Sequence, residues 1–236
     1  MGLTNFTNGV SSFGVPVYGG TGGAVPGFAV FTGDVYFVSS LFGAAGNSGT
    51  SAEFPYASLV TALSSATAQS ATYGGDVIIV MPGHAEAISS ATAMAISKKG
   101  VTILGMGAGS ARPTFTLDTA NTATVAVSAA NVTIDNCIFV ANFLSIAAAF
   151  TLTTAAAFTL SNCEFRETSS VLDFLNIVKS TGAANTVDDL KVVGCTWNGL
   201  GTTSVNSFIL TANDIDNAQV IGNTVILART ADASIL

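Results

Sequence analysis

The chain has 236 residues, of which 49% are apolar and only 9% charged, with a formal net charge of −7. That apolar content excludes a disordered protein, and the length suits one large domain with a real core. The acidic balance, with Lys98 and Lys99 the only adjacent basic pair, excludes nucleic acid as a partner, because phosphate contacts need a Lys or Arg cluster.

Residues 1–32 carry no charged side chain and are punctuated by glycine, with Pro16 and Pro26 among them. A secretory signal needs a basic start and an unbroken apolar run, and the first basic residue here is Lys98. The stretch is too broken to span a membrane or to lie on one as an amphipathic helix, so no membrane partner is expected. It reads as an extended apolar arm. Ordering such an arm costs roughly 1 to 2 kcal/mol per residue in backbone entropy, so it needs a surface to dock on. Phe6, Phe13, Val15, Pro16, Val17 and Tyr18 are its expected anchors.

Residues 33–74 read as a strand, "GDVYFVSS", followed by a cap helix in "FPYASLVTALSSATAQSA", where Leu59, Leu63 and Ala66, with Val60 and Thr67, fall at helical spacing after a turn at Pro55. "GGDVIIVMPG", Gly74 to Gly83, reads as a fully buried strand closed by a turn.

Over residues 75–227 the chain repeats. "VTILGMGA" from Val101, "VTIDNCIF" from Val132, "FTLSNCEF" from Phe158, "LKVVGCTW" from Leu190 and "AQVIGNTV" from Ala218 share one frame, with starting points 31, 26, 32 and 28 residues apart. Such a period marks a solenoid. In each, a short alternating strand meets a bend at Gly105, Asn136, Asn162, Gly194 or Gly222, residue types that tolerate left-handed backbone, and a second strand follows. Two strands joined by so tight a corner cannot pair with each other, so each pairs with its equivalents one repeat above and below. The fold class is therefore all-β, a right-handed parallel β-helix with an N-terminal cap helix and the extended arm, about 25 to 30 Å long at strand spacing. Cys137, Cys163 and Cys195, continued by Asn223, form an interior ladder and not a chemical site; Phe139, Phe165, Trp197 and Val225 take the neighbouring inward column. Residues 228–236 remain as a C-terminal tail.

The run from Gly33 to Gly83, with a strand, an Asn/Gly/Thr turn, a Pro-led helix and a Gly-Asp strand ending in Pro-Gly, resembles the opening of pectate-lyase-like right-handed parallel β-helix proteins. With the repeats the resemblance covers roughly 200 residues and speaks for the fold more than for the function. "LTNFTNGVSSFGVPVYG" resembles the apolar N-terminal segments on head proteins of tailed bacteriophages. Together these imply a capsid decoration, or cement, protein made in a host cytoplasm and carried on the virion, with the major capsid protein as partner and a homotrimer as its form.

Enzymes of this shape use convergent charge: acidic clusters for calcium with an Arg or Lys base, or paired carboxylates. In the aligned repeats Asp135 sits at a bend and Glu164 on an outward position whose equivalents are Ile138, Thr196 and Thr224, so no acidic column forms. Glu164, Arg166 and Glu167 read as a solvated ion pair, Asp188, Asp189, Asp214 and Asp216 as loop residues, and His84 as a turn residue. "GMGAGSARP" reads as a loop between coils, since no helix or Lys-Ser/Thr pair follows for a phosphate site. The expectation is a protein that is not an enzyme, with no catalytic residue, metal or cofactor. The alternative is a phage spike or fibre domain that binds or cleaves a polysaccharide.

Overall fold

A computed structural model describes residues 33–70, 75–201 and 207–228, together with two short strands, β1 (Val10–Ser12) and β2 (Val15–Val17). The chain divides into two units, Met1–Val30 and Phe31–Leu236. In the first, β1 and β2 pair antiparallel, Val10 opposite Val17 and Ser12 opposite Val15. That part of the expected extended arm doubles back as a local ladder. Of the expected anchors, Val15, Pro16 and Val17 form β2, while Phe6, Phe13 and Tyr18 lie outside the described residues.

The second unit is a parallel β-solenoid of five full coils and part of a sixth. The first sheet stacks β3 (Val35–Val38), β4 (Val77–Val80), β7 (Thr102–Gly105), β10 (Thr133–Asp135), β13 (Thr159–Ser161), β16 (Lys191–Val193) and β19 (Gln219–Ile221). The second stacks β5 (Ala85–Ile88), β8 (Thr114–Leu117), β11 (Ile138–Ala141), β14 (Glu164–Glu167), β17 (Thr196–Gly199) and β20 (Thr224–Leu227). The third stacks β6 (Met94–Ile96), β9 (Val125–Val127), β12 (Phe150–Leu152), β15 (Asn176–Ser180) and β18 (Ser207–Thr211). Every pairing among them is parallel, and the period-two alternation sends one residue in two to the interior.

The columns follow the repeat frame. Ile78, Ile103, Ile134, Leu160, Val192 and Val220 stand in one inward register, and Phe115, Phe139, Phe165, Trp197 and Val225 in the next. Phe139 stacks between Phe115 and Phe165 at ring-centroid distances of 5.5 and 5.6 Å, and meets Phe150 edge-on at 4.8 Å. Each such pair adds about 0.5–1.5 kcal/mol beyond the area it buries. Val220, Val225 and Leu227 of the last coil are only half-buried, whereas Val192 and Trp197 one coil earlier are fully buried.

Later corners between the first two sheets take two residues each: Asn136–Cys137, Asn162–Cys163, Gly194–Cys195 and Gly222–Asn223. The first of each pair has positive φ, at 58°, 52°, 64° and 66°, the left-handed geometry that Asn and Gly adopt at least cost. Cys137, Cys163 and Cys195 are buried and unbridged, and Asn223 extends the ladder by accepting from Cys195 N and donating to Val192 O, both at 2.8 Å. Gly105 departs from the expected bend. It ends β7 without positive φ, and a Cβ there would lie 2.3 Å from the Asn136 carbonyl oxygen, so close packing against the next corner is what demands glycine.

The cap helix α1 runs Leu59–Ser65, shorter than its apolar pattern, with Ser58 Oγ accepting from Thr61 N. Leu59, Ala62, Leu63 and Ala66 are buried, while Val60 and Thr67 are exposed. It stops because other partners claim the chain: Thr67 N donates to Asp76 Oδ2 at 2.6 Å and Gln69 N to Lys99 O at 2.7 Å. Asp76, fully buried, also accepts from Asp34 N. His84 is not a simple turn residue. It is 1% exposed, its Nδ1 accepts from Ser40 N, and its Nε2 is therefore the protonated nitrogen that donates to Glu86 Oε2, which also accepts from Leu59 N at the helix start.

Candidate functional site

The corner between the first two sheets has four residues, 81–84, in the first coil and is longest in the second. Between β7 and β8 it expands to residues 106–113, containing a 3-10 turn at Gly109–Ala111, and Gly83 N donates to Ala111 O to hold it against the corner before. This loop and the tight corners after it enclose a groove of about 520 Å³, lined by Gly107, Arg112, Asn136, Asn162, Glu164 and Thr196 among others.

Arg112 is the strut of the groove. Its Nε donates to Gly109 O at 3.0 Å, Nη1 to Asn162 O at 3.2 Å, and Nη2 to Glu164 Oε2. Ile138, the outward residue between Thr114 and Glu164 in register, is fully buried beneath this bridge. Glu164 Oε1 accepts from Arg166 Nε at 2.6 Å. That bond with Arg166, reinforced by the charge of Arg112, holds the Glu164 carboxyl below its ordinary range and keeps it ionised. Asp135 Oδ1 accepts from Ser161 Oγ at 2.6 Å and Asn162 Nδ2 at 2.7 Å, which fixes the Asn162 side chain.

Because a guanidinium has five N–H donors, Arg112 keeps two unused in these bonds and Arg166 keeps four, all on its terminal nitrogens. The side chain of Arg166 is 42% exposed and that of Arg112 14%. The site thus offers a fixed carboxylate and open forked donors, a set suited to hydroxyl and carboxylate groups. No group of three or more His, Cys, Asp or Glu residues placed to hold a metal occurs among the described residues.

The charged trio Glu164, Arg166 and Glu167 is not one ion pair. Glu167 points inward, 8% exposed, and accepts from Phe174 N at 3.2 Å, Trp197 Nε1 at 3.0 Å, Gly201 N at 2.9 Å and Leu200 N. Burial pushes its carboxyl up, against the pull of those four donors. The true third member is Arg112, from the loop between β7 and β8. Asp188, Asp189 and Asp216 serve the backbone of neighbouring coils: Asp216 N donates to Asp188 Oδ1, and Asp189, at φ 59°, donates its N–H to Asp216 O.

Glu164 sets a pH dependence of defined sign. Its folded-state value lies below the ordinary 4.5, so its contribution is complete above that pH and disappears as pH falls through the depressed value. The stability gap between the wild type and Glu164→Gln, measured by urea unfolding, is expected to be widest near neutrality and to close in acid.

No family model matches the chain, and no curated protein matches it by sequence. Among solved structures the chain is similar to a rhamnogalacturonan lyase, with a TM-score of 0.53 and 13% identity over 86% of this chain. The match spans 61% of that protein's length. At this identity the likeness bears on the fold alone, a parallel β-solenoid. It also corrects the expectation that the chain is not an enzyme: the solved structure sharing its fold is a lyase, so the absence of an acidic column is no ground for excluding catalysis.

Proposed function

We propose that the protein is a polysaccharide-engaging β-helix that takes an acidic glycan into the groove beside the 106–113 loop. The observation that carries this reading is the Arg112–Glu164–Arg166 cluster, where one ionised carboxylate holds two guanidiniums whose remaining N–H donors face no protein acceptor among the described residues. Forked donors pair bidentately with carboxylates, so a uronate is the sugar such a site recognises best. The fold shared with a rhamnogalacturonan lyase supports the same direction. In eliminative cleavage, a guanidinium would neutralise the uronate carboxylate and so acidify the adjacent C–H.

The test is affinity electrophoresis of the full chain in gels containing rhamnogalacturonan or homogalacturonan, with release of unsaturated uronate followed in parallel. Retention by the wild type is expected, and Arg166→Ala should weaken it about tenfold, equivalent to roughly 1.4 kcal/mol. Lys179→Ala, on the third sheet, should leave it unchanged. Unretarded migration of the wild type in both gels would overturn the reading.

A second proposal concerns residues 1–32, whose uncharged apolar composition suits attachment to a larger particle such as a capsid. It is tested by co-sedimenting the full chain and a version starting at Gly33 with capsids lacking this protein; equal binding by both would sink it.

A further inference from the structure

The corner positions 136, 162, 194 and 222 share left-handed backbone, with asparagine at the first two and glycine at the last two. Because asparagine adopts that geometry at 136 and 162, with φ 58° and 52°, backbone conformation alone does not demand glycine at 194. What glycine supplies there is space. A Cβ at Gly194 would lie 3.0 Å from Asn162 Oδ1, so this carboxamide oxygen stands directly over bare backbone. Both residues line the groove.

The carboxamide is fixed from its other side. A carboxylate oxygen accepts, so the group that meets Asp135 Oδ1 at 2.7 Å is Asn162 Nδ2, and Oδ1 is turned away from it. The backbone is pinned as well: Asn162 N donates to Val193 O at 3.0 Å, and Asn162 O accepts from Arg112 Nη1 at 3.2 Å. Among the described residues no protein donor meets Asn162 Oδ1. Thr196, in register with Glu164 one coil earlier, lines the same recess, and its hydroxyl likewise bonds to no described protein group. Asn136 plays a different part, since its Nδ2 donates to Gly105 O at 2.8 Å and Gly107 O at 3.1 Å and so holds the base of the 106–113 loop.

We propose that Asn162 Oδ1 and Thr196 Oγ1 form a hydroxyl-reading subsite over Gly194, built for two adjacent ring hydroxyls of the bound sugar. One hydroxyl donates to Asn162 Oδ1, and the Thr196 hydroxyl donates to the other. This rests on the glycan reading and adds to it a specificity that the arginines, which read the carboxylate, do not supply. An O-acetyl ester removes the hydrogen that Asn162 accepts and needs the space that Gly194 leaves open, while the sugar carboxylate stays unchanged.

The experiment runs the full chain by affinity electrophoresis in homogalacturonan and in the same polymer O-acetylated with its carboxylates left free. The wild type should bind the acetylated polymer about tenfold less tightly than the unmodified one, the worth of a good hydrogen bond. Asn162→Gly, which the corner accepts because Gly194 and Gly222 hold equivalent positions, should bind the unmodified polymer about tenfold less tightly than the wild type and lose nothing further on acetylation. Gly194→Asn, which keeps a residue suited to left-handed backbone and fills the space from below, should behave the same way. Equal retention of the wild type by the two polymers, or discrimination that persists in Asn162→Gly, would overturn the subsite and leave recognition of the carboxylate standing. Unretarded migration in both would overturn the glycan reading and the subsite with it.

Discussion

Glu167→Ala is expected to lower the stability of the solenoid by about 3–5 kcal/mol in urea unfolding. The truncation strips an acceptor from three buried donors, Phe174 N, Gly201 N and the Trp197 indole, and from the partly buried Leu200 N. An unsatisfied buried donor costs about 1–3 kcal/mol, and partial refilling by water keeps the total below the simple sum. Glu167→Gln separates shape from charge. Its amide nitrogen would face either the Leu200 and Gly201 N–H groups or the Phe174 and Trp197 ones, so about half the loss should remain. Because burial raises the folded-state value of Glu167, acid strengthens its contribution relative to neutral pH, the opposite sign to Glu164. A wild-type-like unfolding curve for Glu167→Ala would show that the carboxylate is dispensable.

Phe139→Ala should cost a similar amount, about 3–5 kcal/mol, for a different reason. The ring stands mid-column with three aromatic neighbours, and its removal opens a cavity that coils locked in register above and below cannot close. Solenoids are stabilised by nearest-neighbour contacts, so the loss should appear in hydrogen exchange as reduced protection of the second to fourth coils. Val225→Ala, in the half-buried last coil, should cost about 1 kcal/mol. Equal losses at both positions would contradict that picture.

The columns were legible in the sequence because the repeat frame is physical: the same corner and the same alternation recur wherever strands must stack in parallel. Even the inward aim of Glu167 follows from that alternation, since Glu164 and Arg166 point outward and Phe165 inward. Charge obscured the signal, as a carboxylate beside an arginine reads as surface until its donors on other coils are seen. The groove was not legible. Arg112 meets Glu164 across fifty-two residues, and no local pattern marks a loop arginine as the partner of a strand two coils away. His84 was hidden for the same reason, its Nδ1 being met by a backbone N–H forty-four residues earlier. The end of α1 was misplaced because the pull on Thr67 comes from Asp76, outside the helical window.

The corner at 106–113 separates two kinds of inheritance in the chain. The inward rows carry the fold and tolerate little, since every coil is templated by its neighbours. This longest corner adds a wall, a strut and a recess without shifting the register of β7, β8 or any strand after them. Insertion, deletion or exchange of residues at that one place would therefore reshape what the rod holds while leaving the rod intact. The other corners, four residues long at 81–84 and two residues long in the later coils, offer the same opportunity coil by coil. A scaffold of this kind acquires new specificities at its edges, one turn at a time, with its interior as an unchanging ruler.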